Sequence, residues 1–383
     1  VIATDWWAEQ AREFLGADVQ VLTSGNTDFK PGADVYVTTF GIARNRASDL
    51  YERFNTGALV LDESHNLRNP EAKQTQAVFG RLADGRGGLV SCFDTVWCLT
   101  GTPIEGYAND MWTQTGVLHP EVYDRYSIRT YGEFCDRFTF KRKKQFHPRM
   151  QPVWKISGNS NEALLHRIVY DEIGALRRQE APGLPALRMR QLHVPVKLDA
   201  AVRKAMRGKS DQEITAALSD PNSPISNAWR AIGLAKVNEV VHYGGDLAKQ
   251  EPLLLGAWHH DVMDEYVNRF TELGLDAVKV SGQTSDKMKA VIRKAFNNGE
   301  IDVLVGQMKA MGTSWNIQEA CSNVIIAETV PSPAIVEQFY KRVYRFGQKR
   351  PCQVDVILSE TPVDEALNGV RLRKQASDLK INK

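Results

Sequence analysis

Short apolar runs alternate with amphipathic stretches along most of the chain. In the first half, Val1–Ala3, Val19–Leu22, Val35–Thr38, Ala58–Leu61 and Val96–Leu99 are predicted as strands, and Asp5–Leu15, Ala43–Phe54 and Ala72–Leu82 carry helical spacing. The second half repeats the theme. Strands are predicted at Leu253–Trp258, Ala277–Val280, Asp302–Gly306, Asn323–Ala327 and Gln353–Leu358. Helices are predicted at Asp261–Leu273, Ser285–Asn297 and Ser332–Tyr344, the last opened by Ser332 as a cap and Pro333 in the first turn. Apolar runs of this length separated by helices predict an α/β fold with parallel sheets flanked by helices.

The middle departs from this rhythm. From about His119 to Val237 the pattern is mainly helical and charged, broken by Lys141-Arg142-Lys143-Lys144 and by Ala181-Pro182-Gly183-Leu184-Pro185. It predicts two helical insertions flanking a hinge. A chain of 383 residues exceeds one ordinary core. The expectation is two lobes, residues 1–190 with an insertion at about 119–180, and residues 191–383 opening with an insertion at about 195–237.

Composition narrows the class without naming a function. The apolar fraction is 43% and the charged fraction 25%, as in a folded globular protein. A net charge of +2 means that any nucleic-acid surface comes from local clustering of Lys and Arg. Five scattered cysteines, none spaced as CxxC, argue against a disulfide framework or a zinc site and for a reducing compartment. No apolar run approaches the ~20 residues of a membrane span. With no basic targeting tract, the expected setting is the cytoplasm of a bacterial or phage-infected cell rather than a nucleus.

Three segments carry candidate chemistry. Leu59-Val60-Leu61-Asp62-Glu63-Ser64-His65 is an apolar strand ending in two carboxylates, at the edge where open α/β sheets bind ligands. In a nucleotide hydrolase the first acid can hold Mg²⁺, through water, and the second can orient or deprotonate the attacking water; a helix cap or solvated turn would use the same residues. Leu99-Thr100-Gly101-Thr102-Pro103 leaves a neighbouring strand with two hydroxyls about a tight glycine turn, either a plain strand exit or a sensor of the γ-phosphate. Gln338, Arg342 and Arg345, spaced by four and three, are predicted on one helix face, where two arginines suit the charge of a phosphoryl-transfer transition state.

In order and spacing these segments resemble motifs II, III and VI of the Snf-type superfamily-two ATPases. The resemblance extends through Arg177-Arg178, Ala235-Lys236-Val237, Trp258–Asp264 and Ser281–Ser285 and covers nearly the whole chain. It is nearest in appearance to the HARP-like annealing-helicase branch. It implies two RecA-like lobes, ATP and Mg²⁺ as cofactors, and double-stranded or branched DNA as partner. By it Asp62 would help hold Mg²⁺, Glu63 would polarise water, Arg342 and Arg345 would act as arginine fingers, and Gln338 would order the site. His65, Thr100, Gly101, Thr102 and Gly312 would couple ATP to movement. Thr38, Thr39, Ser281, Gly282, Thr284, Trp315, Lys141 and Arg142 would meet DNA, with core packing open for Trp315 and a solvated loop open for the lysine run. Of the adjacent histidines His259-His260, both are expected to be structural, since neighbours on a strand point to opposite faces.

One expected part is missing. No GxxxxGK[ST] occurs in the 383 residues, and the chain starts at Val1 rather than Met, so the phosphate loop is expected upstream. Two functions follow from these residues: an ATP-driven translocase on duplex DNA, or a non-hydrolysing DNA-binding or scaffold module derived from one.

Overall fold

The computed structural model describes residues 2–23, 28–80, 87–104, 106–144, 151, 153–176, 183–196, 200, 213, 217–218, 220, 223–311 and 315–382. Much of the insertion expected at 195–237, together with Arg177, Arg178, Pro182 and Gly312, lies outside these residues. The chain divides into two compact units, Val1–Arg177 with Ala376–Lys383, and Arg178–Gln375.

The first unit opens with a helix, Ile2–Leu15, where a strand is expected at Val1–Ala3. Ile2 and Ala3 belong to this helix, whose Ala8 and Ala11 lie buried against Val19. Two parallel strand pairs follow. In one, β1 (Val19–Val21) pairs with β2 (Val35–Val37); in the other, β3 (Ala58–Asp62) pairs with β4 (Thr95–Leu99). The segment expected as one helix from Ala43 to Phe54 is two, Phe40–Asn45 and Ala47–Arg53.

The region expected as a helical insertion is mixed. Helices Pro120–Asp124 and Tyr131–Phe138 are followed by an antiparallel hairpin of β5 (Thr139–Lys144) and β6 (Val153–Asn159). The lysines conceal its strand character, since charge suggests a solvated helix or loop until the pairing is seen. Aromatic residues Trp112, Tyr123, Phe134 and Phe138 form the core beneath it. Residues near the C-terminus join this unit: Ile381 is fully buried in the same core and Ser377 accepts a 2.9 Å hydrogen bond from Asn159.

The second unit is built on one six-stranded, all-parallel sheet in the order β7-β12-β11-β8-β10-β9. The strands are β7 (Leu187–Val194), β8 (Leu253–Ala257), β9 (Ala277–Val280), β10 (Val303–Gln307), β11 (Asn323–Ile326) and β12 (Cys352–Ser359). The lobe boundary expected after residue 190 therefore falls inside β7. That strand escapes the pattern because Arg188, Arg190 and His193 interrupt it; its Arg190 pairs bidentately with the buried Asp355 opposite, at 2.7 and 2.9 Å. Burial then explains the apolar runs of the other strands. Leu254, Leu304, Val324 and Val354 face a core shared with Phe296 and Phe339, while Leu253, Leu255, Val305 and Ile325 face another with Tyr266 and Phe270.

Two close approaches fix the helices on this sheet. Gly256 of β8 and Gly306 of β10 are register partners, and Phe339 of helix Pro333–Tyr340 lies over both. A Cβ at Gly256 would stand 2.7 Å from the Phe339 ring, and one at Gly306 would stand 3.1 Å from it. On the other side, fully buried Lys236, at the junction of helices Pro224–Ala235 and Val237–Ala248, donates to Asp364 at 3.1 Å and to the Ile357 carbonyl at 3.2 Å. A buried pair robbed of one partner costs about 3–5 kcal/mol.

Two stability predictions follow from this packing. Gly256→Ala should lower the unfolding free energy by about 1–3 kcal/mol through overpacking against Phe339, and Lys236→Ala should lower it by about 3–5 kcal/mol. Both are read from urea midpoints at constant slope.

Candidate active site

Strands β3 and β4 run in parallel register with Asp62 opposite Leu99, so the chain leaves both at one edge. The acid pair leaves from one strand and Thr100-Gly101-Thr102-Pro103 from the other. Immediately after Asp62 the backbone turns sharply. Glu63 sits at φ 50°, ψ 45° and caps the short 3₁₀ turn Ser64–Leu67. This left-handed conformation costs a residue with a Cβ roughly 1–2 kcal/mol. Hydrogen bonds hold it in place: the Glu63 N–H donates to Asp62 Oδ1 at 2.9 Å, and its carbonyl accepts from the Asn66 backbone at 2.9 Å and side chain at 3.0 Å.

Behind the acids lies a closed set of polar contacts. Ser64 is fully buried, its hydroxyl 2.7 Å from Gln114 Oε1 and 3.2 Å from the Leu99 carbonyl oxygen. His65 is also buried; its Nδ1 lies 2.9 Å from Thr100 Oγ1 and 3.3 Å from Glu63 Oε2. Thr100 Oγ1 in turn accepts the Thr102 N–H at 3.0 Å. One imidazole nitrogen thus touches both the second carboxylate and the hydroxyl of the neighbouring strand end. Burial pushes the Cys98 thiol on β4 up to about 11, against a smaller downward pull from Ser64.

The front of the site is open. Asp62 is exposed, and its Oδ2 accepts the Trp7 indole N–H at 2.8 Å. Two of the carboxylate's roughly four acceptor positions remain for a hydrated cation. A hard oxygen donor at an exposed strand end suits Mg²⁺ held through water. Ala58, Val60 and Asp62 share one exposed face of the pair, where Val60 is 52% and its register partner Trp97 58% accessible. Gly101 has no positive φ, and an added Cβ would meet nothing within 4 Å. The chain bends at Gly101 as expected, but the bend needs no left-handed residue; what the glycine leaves is room.

In the second unit the helix expected to run from Ser332 to Tyr344 ends at Tyr340. Ser332 caps it by accepting the Ile335 N–H, and Pro333 fills its first turn. Gln338 is in the helix, whereas Arg342 and Arg345 lie in the irregular turn beyond it. They are not on one helical face, because turn hydrogen bonds such as Val343 N–H to the Tyr340 carbonyl replace the helical ladder, and Gly347 at φ 92° redirects the chain. Arg342 Nε donates to the Gln338 carbonyl at 2.9 Å, and Arg345 donates to the Asn316 side chain. Burial draws the Arg345 guanidinium below its ordinary pKa.

The turn is stapled by Gln348. Its buried amide donates to the carbonyls of Gln318 at 2.8 Å and Cys321 at 2.9 Å, and its oxygen accepts the backbone N–H groups of Lys349 and Arg350, both at 2.9 Å.

The residues expected at DNA are dispersed. Thr39 caps helix Phe40–Asn45, and the Thr38 hydroxyl is enclosed with no partner among the described residues. Ser281, Gly282 and Thr284 form a self-bonded turn after β9, with the Ser281 N–H on Thr284 Oγ1 at 3.0 Å and the Gly282 N–H on Gln307 at 3.1 Å. Only Gly282 of these three is exposed. Trp315 is 2% accessible in the core and offers no ring face to a ligand, which corrects its DNA reading. Lys141 and Arg142 stand exposed on β5. His259 is a structural residue: with the backbone N–H groups of Trp258 and His259 it satisfies the buried Glu328 carboxylate.

A family model for the SNF2-related domain matches residues 20–155, and one for the helicase conserved C-terminal domain matches residues 235–347. The chain belongs to the SNF2-related family. Among similar proteins, the human DNA annealing helicase and endonuclease ZRANB3 is 22% identical over 355 residues, 89% of this chain and 31% of that protein. The Drosophila melanogaster SWI/SNF-related matrix-associated actin-dependent regulator of chromatin subfamily A-like protein 1 is 24% identical over 97% of this chain and 48% of its own length. This SNF2-related chain therefore spans less than half of either relative. A solved structure of the C-terminal part of the Fun30 ATPase domain is similar over 52% of the chain and 96% of its own length, at 14% identity and a TM-score of 0.38.

Within the SNF2-related frame, sequence reasoning misses Gln114 and does not foresee the contacts of Trp7 with Asp62, Asn316 with Arg345, or Gln348 within its turn. Trp7 meets Asp62 across 55 positions and Gln114 meets Ser64 across 50, separations that no local pattern encodes. Gln348 alone leaves a signal, as an amide closing a basic, aromatic block. Gln348→Ala should destabilise the chain by about 1–3 kcal/mol, the cost of stranding buried backbone groups. Thermal unfolding measures this loss.

Proposed function

We propose that this chain carries the hydrolytic and DNA-gripping parts of an ATP-dependent translocase acting on double-stranded DNA. The observation that supports it most is the Asp62–Glu63 turn. It places an exposed carboxylate at a strand end beside a second acid that the left-handed backbone turns toward His65 and the neighbouring strand end. Bound Mg²⁺ would neutralise the phosphates and align them for attack. Asp62 would hold the hydrated ion, with Trp7 fixing one oxygen. Glu63 would orient the attacking water and draw its proton toward Oε2. His65, in contact with both Glu63 and Thr100, would pass the state of that carboxylate to the Thr100–Thr102 strand end. Arg342 and Arg345 are read as the cations that meet developing phosphoryl charge, kept in place by Gln338, Asn316 and Gln348.

DNA would be held chiefly through phosphates, so binding would be salt-dependent and weakly sequence-specific. A non-hydrolysing DNA-binding module is the second reading, favoured by the absence of GxxxxGK[ST] from these 383 residues.

The two readings separate in one experiment. ATP hydrolysis is measured with and without duplex DNA, on the chain alone and on the chain joined to a segment bearing a GxxxxGK[ST] loop. The motor reading expects DNA-stimulated hydrolysis from the joined protein, lowered at least ~10²-fold by Glu63→Gln and about 10³-fold or more by Arg345→Ala. No hydrolysis by the joined protein with duplex present leaves the binding-module reading. Normal hydrolysis by the chain alone would show that the loop is not required.

A further inference from the structure

The hairpin of β5 and β6 is not used by the chemistry above. Its register places Lys141 opposite Ile156, Arg142 opposite Lys155 and Lys143 opposite Trp154. By the alternation of a strand, Lys141, Lys143, Trp154 and Ile156 share one face of the ribbon, and Arg142 and Lys155 share the other. A bulge follows at Ser157, and beyond it Phe140 lies over Gly158, whose missing side chain leaves the ring uncovered. Residues 140–143 and 154–155 are exposed on both faces. Phe140 is 60% and Trp154 62% accessible. Beyond its packing on helix Tyr131–Phe138 the outer part of the ribbon is exposed among the described residues, and large bare aromatics add no stability there.

Charge indicates what would cover it. The two strands hold Lys141, Arg142, Lys143, Lys144 and Lys155 and no acid, in a chain whose net charge is only +2. The Lys143 ammonium stands 5.2 Å from the centre of the Trp154 ring. A shallow pocket of about 410 Å³ beside it is lined by Asp136, Lys141, Trp154 and Ile156. Lysine is depleted from protein–protein interfaces, whereas aromatic rings set among cations are the usual platform for single-stranded nucleic acid. Duplex DNA shows a protein its phosphates and base edges but no free base face. Lysines alone would serve a duplex; exposed rings beside them require bases that are unstacked.

We propose that the β5–β6 hairpin binds unpaired nucleotides of a DNA strand, stacking a base on Trp154 while Lys141 and Lys143, on the same face, take the flanking phosphates. The proposal rests on the DNA reading above and adds to it a site and a preference. It makes the chain bind DNA with an unpaired segment beside the duplex in preference to blunt duplex.

Fluorescence anisotropy on the full chain tests it, with one labelled blunt duplex and the same duplex carrying a tail of about ten unpaired nucleotides. The tail should tighten binding at least tenfold. Trp154→Ala should remove roughly five- to hundredfold from tailed-duplex affinity and leave blunt-duplex affinity unchanged, whereas Phe140→Ala, on the opposite face, should leave both unchanged. Trp154→Phe should retain most of the effect. Lys143→Ala should weaken both DNAs and lower the salt slope by about one. Both aromatic positions are exposed, so unchanged thermal unfolding is expected and checked. If Trp154→Ala weakens blunt and tailed duplex equally, stacking is overturned. If the tail adds nothing while blunt duplex binds, or if the tail effect ignores Trp154→Ala, the hairpin serves another occupant such as a protein, and this inference alone fails. If the wild-type chain binds neither DNA, the DNA reading fails with it.

Discussion

The seating of Phe339 on two adjacent glycines sets the geometry of the second unit. Gly256 and Gly306 are register partners on neighbouring central strands, and the absence of two Cβ atoms lets one aromatic ring approach the backbone of both. That contact fixes the height and rotation of helix Pro333–Tyr340 over the sheet. Everything beyond Tyr340 inherits the placement: Arg342 through the Gln338 carbonyl, Arg345 through Asn316, and the whole turn through Gln348. Ångström-scale positioning of two cations is thereby referred to the most rigid part of the fold. A fully buried parallel strand is a better reference than a loop, because close packing leaves its neighbours no alternative arrangement.

The first unit solves a similar problem with less material. Its acids stand on a two-stranded pair, and the rigidity comes from hydrogen bonds rather than layered packing. Ser64, His65, Thr100 and Gln114 lock the two strand ends to each other. The acids in front keep one face toward solvent. The site therefore combines a fixed rear wall with an exposed carboxylate in front.

Much of this is legible in the amino-acid pattern, and the exceptions have physical reasons. Strands buried on both faces, such as Leu253–Ala257, announce themselves as apolar runs, and the acid pair stands where the β3 run ends. β7 does not, because an edge strand can carry Arg190 when a buried Asp355 waits opposite. The β5–β6 hairpin does not, because its basic residues stand in water on both faces. The opening Val1–Ala3 run is too short to distinguish strand from helix. The arginines share one helix face by spacing alone, and spacing cannot register a helix end, which here comes at Tyr340, seven residues before the left-handed Gly347. The contacts of Trp7 and Gln114 are invisible because their partners lie 55 and 50 positions away, and only the fold brings them together.

The left-handed backbone at Glu63 sets stability against chemistry at a single position. A glycine there would relieve the conformational strain and remove the carboxylate together, so stability and the proposed chemistry pull in opposite directions. Sequences related to this one would record that opposition directly. A lineage that still needs the carboxylate must tolerate the strain in every generation, while a lineage released from it has a downhill route to glycine in a single base change.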